Sequence, residues 1–213
     1  MTRFIAFIGP PGSGKTTQIG LLEKVLSPAG LVVASVPRLL RRQDSLIRLL
    51  SAEERAELDA LMAAAQAARL RGELAPIALD RILFRGLSRI TGDALVALDG
   101  CPRGAQQARL FLGLASLRQN TTVVQLRMGD TCDEIGVSVH RQFRRESLRR
   151  GEEAALARYP VFKRKVEIYL EDTLAAVAIL EEAGVPVRRV DAMLTPDEVH
   201  RRVLSIVKAS ENS

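Results

Sequence analysis

Gly9-Pro10-Pro11-Gly12-Ser13-Gly14-Lys15-Thr16 decides how this chain is read. The stretch fits GxxxxGK[ST] at every fixed position. An apolar run, Phe4-Ile5-Ala6-Phe7-Ile8, precedes it, and an unbroken helical periodicity over 15–26 follows, which is the context the pattern requires. The chemistry explains the residue types. Glycines let backbone N–H groups turn inward and approach oxyanions with no Cβ in the way. The helix that follows adds the partial positive charge of its N-terminus. Lys15 supplies a mobile cation, and a hydroxyl from Thr16 or Thr17 can reach a metal ion or a phosphate. Residues 9–17 are therefore read as a phosphate-binding loop for ATP. Asp99 ends the third apolar run, where a parallel strand opens toward a ligand crevice, so it joins Thr16 and Thr17 as a candidate for the Mg²⁺ shell.

Outward from the loop, five short apolar segments alternate with helical periodicity. The segments are 4–8, 31–36, 94–98, 122–126 and 185–190, several of them apolar on both faces, as a parallel strand covered by helices must be. Helices are expected over 15–26, 52–71, 77–90, 104–117, 163–183 and 196–207, with Thr195-Pro196 a cap-then-proline start and Gly184 a C-terminal stop. Alternation of this kind predicts an α/β chain with a doubly wound, five-stranded parallel sheet in a single domain, 1–213. Two stretches exceed a plain βα repeat. Residues 37–93 are mostly helical, and residues 127–184 carry Arg141, Arg144, Arg145, Arg149 and Arg150.

Composition narrows the function classes. At 213 residues, 47% apolar and 26% charged, the chain can bury one full core. Cys101 and Cys132 lack the spacing of a disulfide framework or a zinc site, which fits a reducing cytoplasm. No leader is read at the N-terminus and no run reaches the length of a membrane span, so no membrane association is expected. The net charge of +6 suits phosphate-bearing partners. Aromatics are only 4% with no Trp, which argues against the stacking mode of nucleic-acid binding and for arginines aimed at a small phosphorylated ligand. His140 and His200 have no convincing partners and are read as surface residues.

The loop also resembles the opening of adenylate kinases and related nucleoside monophosphate kinases. Asp99-Gly100-Cys101-Pro102-Arg103, followed by Gln107, resembles that family's Asp-Gly-aromatic-Pro-Arg with a glutamine four residues on. The resemblance implies that Asp99, Gly100 and Arg103 serve the acceptor monophosphate, with Arg103 gripping it, and that Gln107 recognises its base. Leu39-Leu40-Arg41 is similar to a segment whose arginine holds the acceptor phosphate, with Ser35 just before it. Gly72-Glu73-Leu74-Ala75-Pro76 is similar to the segment lining the acceptor base, which implies Leu74 and Pro76. Arg141, Arg145 and Arg150-Gly151-Glu152-Glu153 resemble a short lid, Lys165 or the adjacent Arg164 sits near a further family arginine, and Val190-Asp191-Ala192 resembles the turn whose backbone touches the ATP base. The implied fold is that of the P-loop kinases, with a helical acceptor-binding insert over about 37–76 and a lid over about 136–153.

The sequence departs from the family pattern in four places. Thr16-Thr17 stands for Gly-Thr, Ser35-Val36-Pro37-Arg38 for Ser-Thr-Gly-Asp, Cys101 for the aromatic, and Glu152-Glu153 for two aspartates. The phosphate-transfer parts are largely kept and the parts that choose the acceptor are altered. A monophosphate is already ionised near neutral pH and needs little general-base help. The problem is to bring two polyanions together and exclude water, which calls for arginines and a closing lid. The reading is a monomeric, cytoplasmic, ATP- and Mg²⁺-dependent nucleoside monophosphate kinase with AMP as first acceptor and small nucleotides as its partners. Three alternatives stay open: a P-loop kinase of a non-nucleotide small molecule, a catalytically inactive nucleotide-binding regulator, and a basic nucleic-acid module, whose affinity would fall steeply with salt.

Overall fold

A computed structural model describes residues 1–26, 30–41, 45–129 and 131–210. Its elements run β1 (Arg3–Ile8), α1 (Lys15–Leu26), β2 (Leu31–Ala34), α2 (Val36–Leu40), a 3₁₀ turn (Ser45–Leu49), α3 (Ala52–Arg71), α4 (Ile77–Ser88), β3 (Leu95–Asp99), α5 (Ala105–Leu112) and α6 (Ala115–Gln119). After these come β4 (Thr121–Arg127), α7 (Thr131–Arg150), α8 (Glu152–Ala157), α9 (Tyr159–Ile168), a π-helical turn (Tyr169–Thr173), α10 (Leu174–Glu182), β5 (Val187–Asp191) and α11 (Pro196–Ala209). The five strands form one parallel sheet in the order β2-β3-β1-β4-β5. The predicted doubly wound α/β architecture is the observed one.

Strand periodicity divides the core. Successive side chains of a strand point to opposite faces. Phe4, Ala6 and Ile8 of β1 join Val96, Leu98 and Val123 beneath α3, α4, α5 and α10. Ile5 and Phe7 join Ala97, Val124 and Leu126 beneath α1 and α11. Both faces are dry, which is why β1 reads as a continuous apolar run. Phe84 of α4 meets Phe111 of α5 edge-on, with centroids 5.6 Å apart and rings at 75°, and fixes these two helices against each other.

The differences from the expected elements have local causes. The second strand stops at Ala34, because Ser35 leaves the sheet and caps α2, its hydroxyl accepting from the Arg38 N–H at 3.1 Å. The expected helix 104–117 breaks at Gly113-Leu114 into α5 and α6. The expected helix 163–183 starts earlier, at Tyr159 with Pro160 in its first turn, and widens into the π turn before α10. His140 is exposed as read, but His200 is half-buried, with both ring nitrogens shielded and without a hydrogen-bond partner.

The long stretch before β3 is anchored to the core. Leu46, Leu50, Leu58 and Ala65 belong to the same apolar cluster as α4 and β1. A capping box starts α3: Ser51 accepts from the Glu54 N–H at 3.1 Å and Glu54 accepts from the Ser51 N–H at 2.8 Å. The Glu54 carboxylate then takes both guanidinium nitrogens of Arg89, just past α4, one of them at 2.8 Å. That pairing holds its carboxyl down to about 2. In the second long stretch, residues 136–150 lie in a single helix, α7, which gives way to α8 at Gly151.

Candidate active site

The sheet order sets the place. β1 lies between β3 and β4, so the chain leaves neighbouring strands toward opposite faces and a crevice opens at their C-terminal ends. The phosphate loop leaves β1 there, and Asp99 and the loop after it leave β3 beside it. Gly12 has φ +81, and a Cβ on it would sit 3.1 Å from Cβ of Arg141, so glycine is required both by the turn and by the approach of α7. Lys15 curls onto its own loop, its ammonium donating to the carbonyls of Gly9 (2.7 Å) and Pro10 (2.9 Å) and to the Ser13 hydroxyl (3.4 Å). Burial, then the charge of Arg103, push the Lys15 ammonium down to about 7, against the pull of Asp99 and with a further push from Arg145.

Of the two threonines, Thr16 faces the carboxylate: its hydroxyl donates to Asp99 Oδ2 at 3.1 Å. Thr17 is exposed. A hydroxyl and a carboxylate are hard oxygen donors of the kind Mg²⁺ takes, with phosphate oxygens and water completing the shell. Among the described residues no group of three or more His, Cys, Asp or Glu would hold a metal by itself, so the pair fits an ion brought in with a nucleotide.

α7 lies across the loop. Ser138 donates to the Pro11 carbonyl at 2.6 Å, and Arg141 donates to the carbonyls of Gly12 (3.3 Å) and Ala192 (3.2 Å). Arg141 thereby ties the loop to the turn after β5, the two segments read as the ATP side. Arg145 is exposed one helical turn on. Arg150, at the end of α7, is 65% exposed and pairs with Glu146 at 3.5 Å, sharing that carboxylate with Arg158; the structure does not bring it to the loop.

Across the crevice stands Arg103. The Arg103 Nε–H donates to the Gly100 carbonyl, and its backbone N–H donates to the side-chain oxygen of Gln107. Its own carbonyl accepts from the Thr173 hydroxyl at 2.9 Å, so the π turn reaches the loop that carries Arg103. Gly100 has φ +67, and a Cβ there would lie 2.7 Å from the Arg103 guanidinium. Leu74 comes within 3.6 Å of the Cβ position at Gly104, which brings the expected base-lining segment against the arginine loop; Pro76 is half-buried before α4. Arg41 is exposed at the end of α2, and Ser35 is buried, its hydroxyl engaged in the α2 cap. Lys165 is half-buried; burial, then Arg158, Arg103, Arg145 and Arg69, push it down to about 8.

Sequence reasoning missed Asp80. It is buried in the first turns of α4, with Oδ2 accepting from the Gln107 amide at 2.8 Å and Oδ1 facing the Cys101 thiol at 3.9 Å. Burial pushes its carboxyl up to about 7, while Arg103, the Gln107 amide and the Cys101 thiol pull the other way. A signal was present: Asp80 shares one helical face with Leu83, Phe84 and Leu87, all buried, and a carboxylate in such a stripe needs a partner. Cys101, substituting for the aromatic, is buried, and burial raises its thiol well above the usual range; the side chain of Cys132 lies outside the described residues.

No protein-family model matches the chain. Curated adenylate kinases match it along nearly its whole length. That of Pseudarthrobacter chlorophenolicus is 28% identical over 99% of both chains. That of Thermus thermophilus is 29% identical over 93% of this chain and 94% of its own, and that of Tropheryma whipplei 27% over the same shares. A phosphate loop and an Asp-Gly-x-Pro-Arg loop meet on a parallel sheet of this order, and the chain is similar to these adenylate kinases along nearly its whole length.

Proposed function

We propose that the protein transfers the γ-phosphoryl group of Mg-ATP to a nucleoside monophosphate, with AMP as its first acceptor. The observation that carries the reading is electrostatic: Arg103 and Arg145 both act on Lys15 and on Lys165, so cations from four elements share one crevice. Such a cluster has no structural purpose of its own. Like charges held together cost stability, and polyanionic substrates turn the cost into binding.

The chemistry follows from positioning. An oxygen of the acceptor monophosphate attacks the γ-phosphorus in line. The bond to the β–γ bridging oxygen breaks, its electron pair leaves with ADP, and no proton need move, since both partners are anions. Lys15 leaves the Gly9 and Pro10 carbonyls for the β- and γ-phosphates, Arg103 holds the acceptor phosphate, and Arg141, Arg145 and Lys165 spread the charge of the transferring group. A Mg²⁺ ion held by Thr16 and Asp99 would screen the phosphates. Arg41 and Arg150, both exposed, would be carried inward by a closing movement of α2 and α7. Gln107, Leu74 and Pro76 form the acceptor base wall.

A coupled ADP-release assay with Mg-ATP and AMP, CMP, UMP, GMP or dTMP, with a no-acceptor control, tests the reading. Turnover dependent on a monophosphate is the expected result. ADP release that ignores every acceptor would instead make the protein an ATPase or a kinase of another substrate.

A further inference from the structure

The amide of Gln107 is held from two sides. Its NH₂ donates to Asp80 Oδ2 at 2.8 Å, and its oxygen accepts the backbone N–H of Arg103. Gln107 and Asp80 are both buried, with 6% and 1% of their surfaces exposed. A glutamine amide that turns freely can offer its donor and acceptor in either order. Adenine and cytosine present an amino donor beside a ring-nitrogen acceptor. Guanine, uracil and thymine present an oxo acceptor beside a ring N–H donor. A free amide serves both sets by flipping; a fixed amide serves one and sets donor against donor, or acceptor against acceptor, in the other.

We propose that Asp80 is a positioning residue for acceptor specificity: by accepting only the NH₂ end of Gln107, its carboxylate fixes the amide and makes the site choose between amino and oxo bases. This rests on the reading of Gln107 as the base-recognising residue, and AMP as first acceptor makes the amino set the favoured one. The Asp80 carboxylate is acceptor-only when ionised, so a flipped amide would bring oxygen against oxygen at this buried position. The backbone N–H of Arg103 enforces the same orientation from the opposite side. Besides Gln107, the Asp80 carboxylate meets the weak thiol donor of Cys101, its own backbone N–H and the field of Arg103. The acids of α3 face elsewhere, Glu54 toward Arg89 and Glu57 toward Arg85, and Arg38 of α2 pairs with Glu23.

The lock depends on ionisation. Below about pH 7 the Asp80 carboxyl gains a proton and can donate, which removes its demand for the NH₂ end. Selectivity is therefore sharper at pH 8 than at pH 6. Taking the ratio between two acceptors cancels the titration that all monophosphates share.

The test measures kcat and KM for AMP, CMP, GMP and UMP, and binding of each by calorimetry, at pH 6 and 8, in wild type, Asp80→Asn and Asp80→Ala. Wild type at pH 8 should favour AMP and CMP over GMP and UMP by at least about 10-fold in kcat/KM. In Asp80→Asn, whose amide can face Gln107 with either end, the preference should shrink several-fold and lose its pH dependence, through acceptor KM, while KM for ATP stays within about 2-fold. An Asp80→Asn protein with unchanged selectivity at both pH values overturns the proposal, as does a wild type that prefers one base irrespective of its amino or oxo group. Should Asp80→Ala fail to fold, the near-isosteric Asn variant decides alone. Selective binding that relaxes in Asp80→Asn without turnover would keep the proposal and discard the kinase reading; a wild type that binds no monophosphate discards both.

Discussion

The two banks of the crevice are built differently. Around Lys15, on the side read as the ATP site, the cradle itself is one short loop: the three hydrogen bonds of Lys15 reach back only two to six residues, although Ser138 and Arg141 of α7 brace that loop from outside. On the side read as the acceptor's, one arginine is steadied by residues from distant segments. Gln107 reaches Asp80, 27 residues away, and Thr173 reaches Arg103 across 70. A site made of consecutive residues leaves a pattern in the sequence and tolerates change elsewhere. A site assembled by tertiary packing can be retuned by single substitutions far from any motif, and the departures from the family pattern at Ser35–Arg38 and Cys101 lie on that second bank.

The sharpest break in this comparison comes from the loop. Lys15→Ala should lower turnover by at least ~100-fold, about 3 kcal/mol of transition-state stabilisation, without shifting the order of acceptor preference. A rate that stays near wild type would remove Lys15 from the mechanism. On the other bank, Arg103→Ala should raise the acceptor KM by about 10- to 100-fold, the loss of one charge-assisted phosphate contact, and leave ATP affinity of the free enzyme nearly intact. Equal loss on both sides in calorimetry would mean that the arginine does not belong to the acceptor.

The smallest effect concerns what holds the acceptor bank in place. Glu54 ties α3 to Arg89, and its carboxyl is depressed from 4.5 to about 2. A depressed carboxyl contributes stability that is present above about pH 4.5 and is lost as pH falls toward 2. Glu54→Gln should therefore cost about 1–2 kcal/mol at pH 7 and flatten the acid limb of the unfolding profile. An unaltered acid limb in pH-dependent thermal melts would show that the α3 anchor lies elsewhere.

The sequence made the first bank legible and only half of the second. Residues 9–17 and Asp99 could be read because a phosphate cradle needs glycines, a lysine and hydroxyls at fixed spacing after a strand. Arg103 and Gln107 could be read by resemblance. Asp80 could be marked only as a carboxylate in an apolar helical stripe; its partner could not be read, since that depends on α4 and α5 meeting through Phe84 and Phe111, a packing fact that no local pattern encodes. The sheet was legible because strands buried on both faces are apolar throughout. The π turn at Tyr169–Thr173 was not, because one residue of extra winding leaves helical periodicity nearly unchanged while moving Thr173 onto the Arg103 carbonyl.

Ser138 and Arg141 hold α7 to the phosphate loop, where the Pro11, Gly12 and Ala192 carbonyls converge. Beyond that point the helix runs on unbroken to Arg150, about 14 Å at the usual rise per residue. It is a lever with its fulcrum on the phosphate loop. A tilt of about 10° at the clamp would carry the far end through about 2 Å, and α9, packed on Val139, Gln142 and Phe143 of α7, would travel with it, so a small rearrangement at Gly12 would be geared up at Arg150.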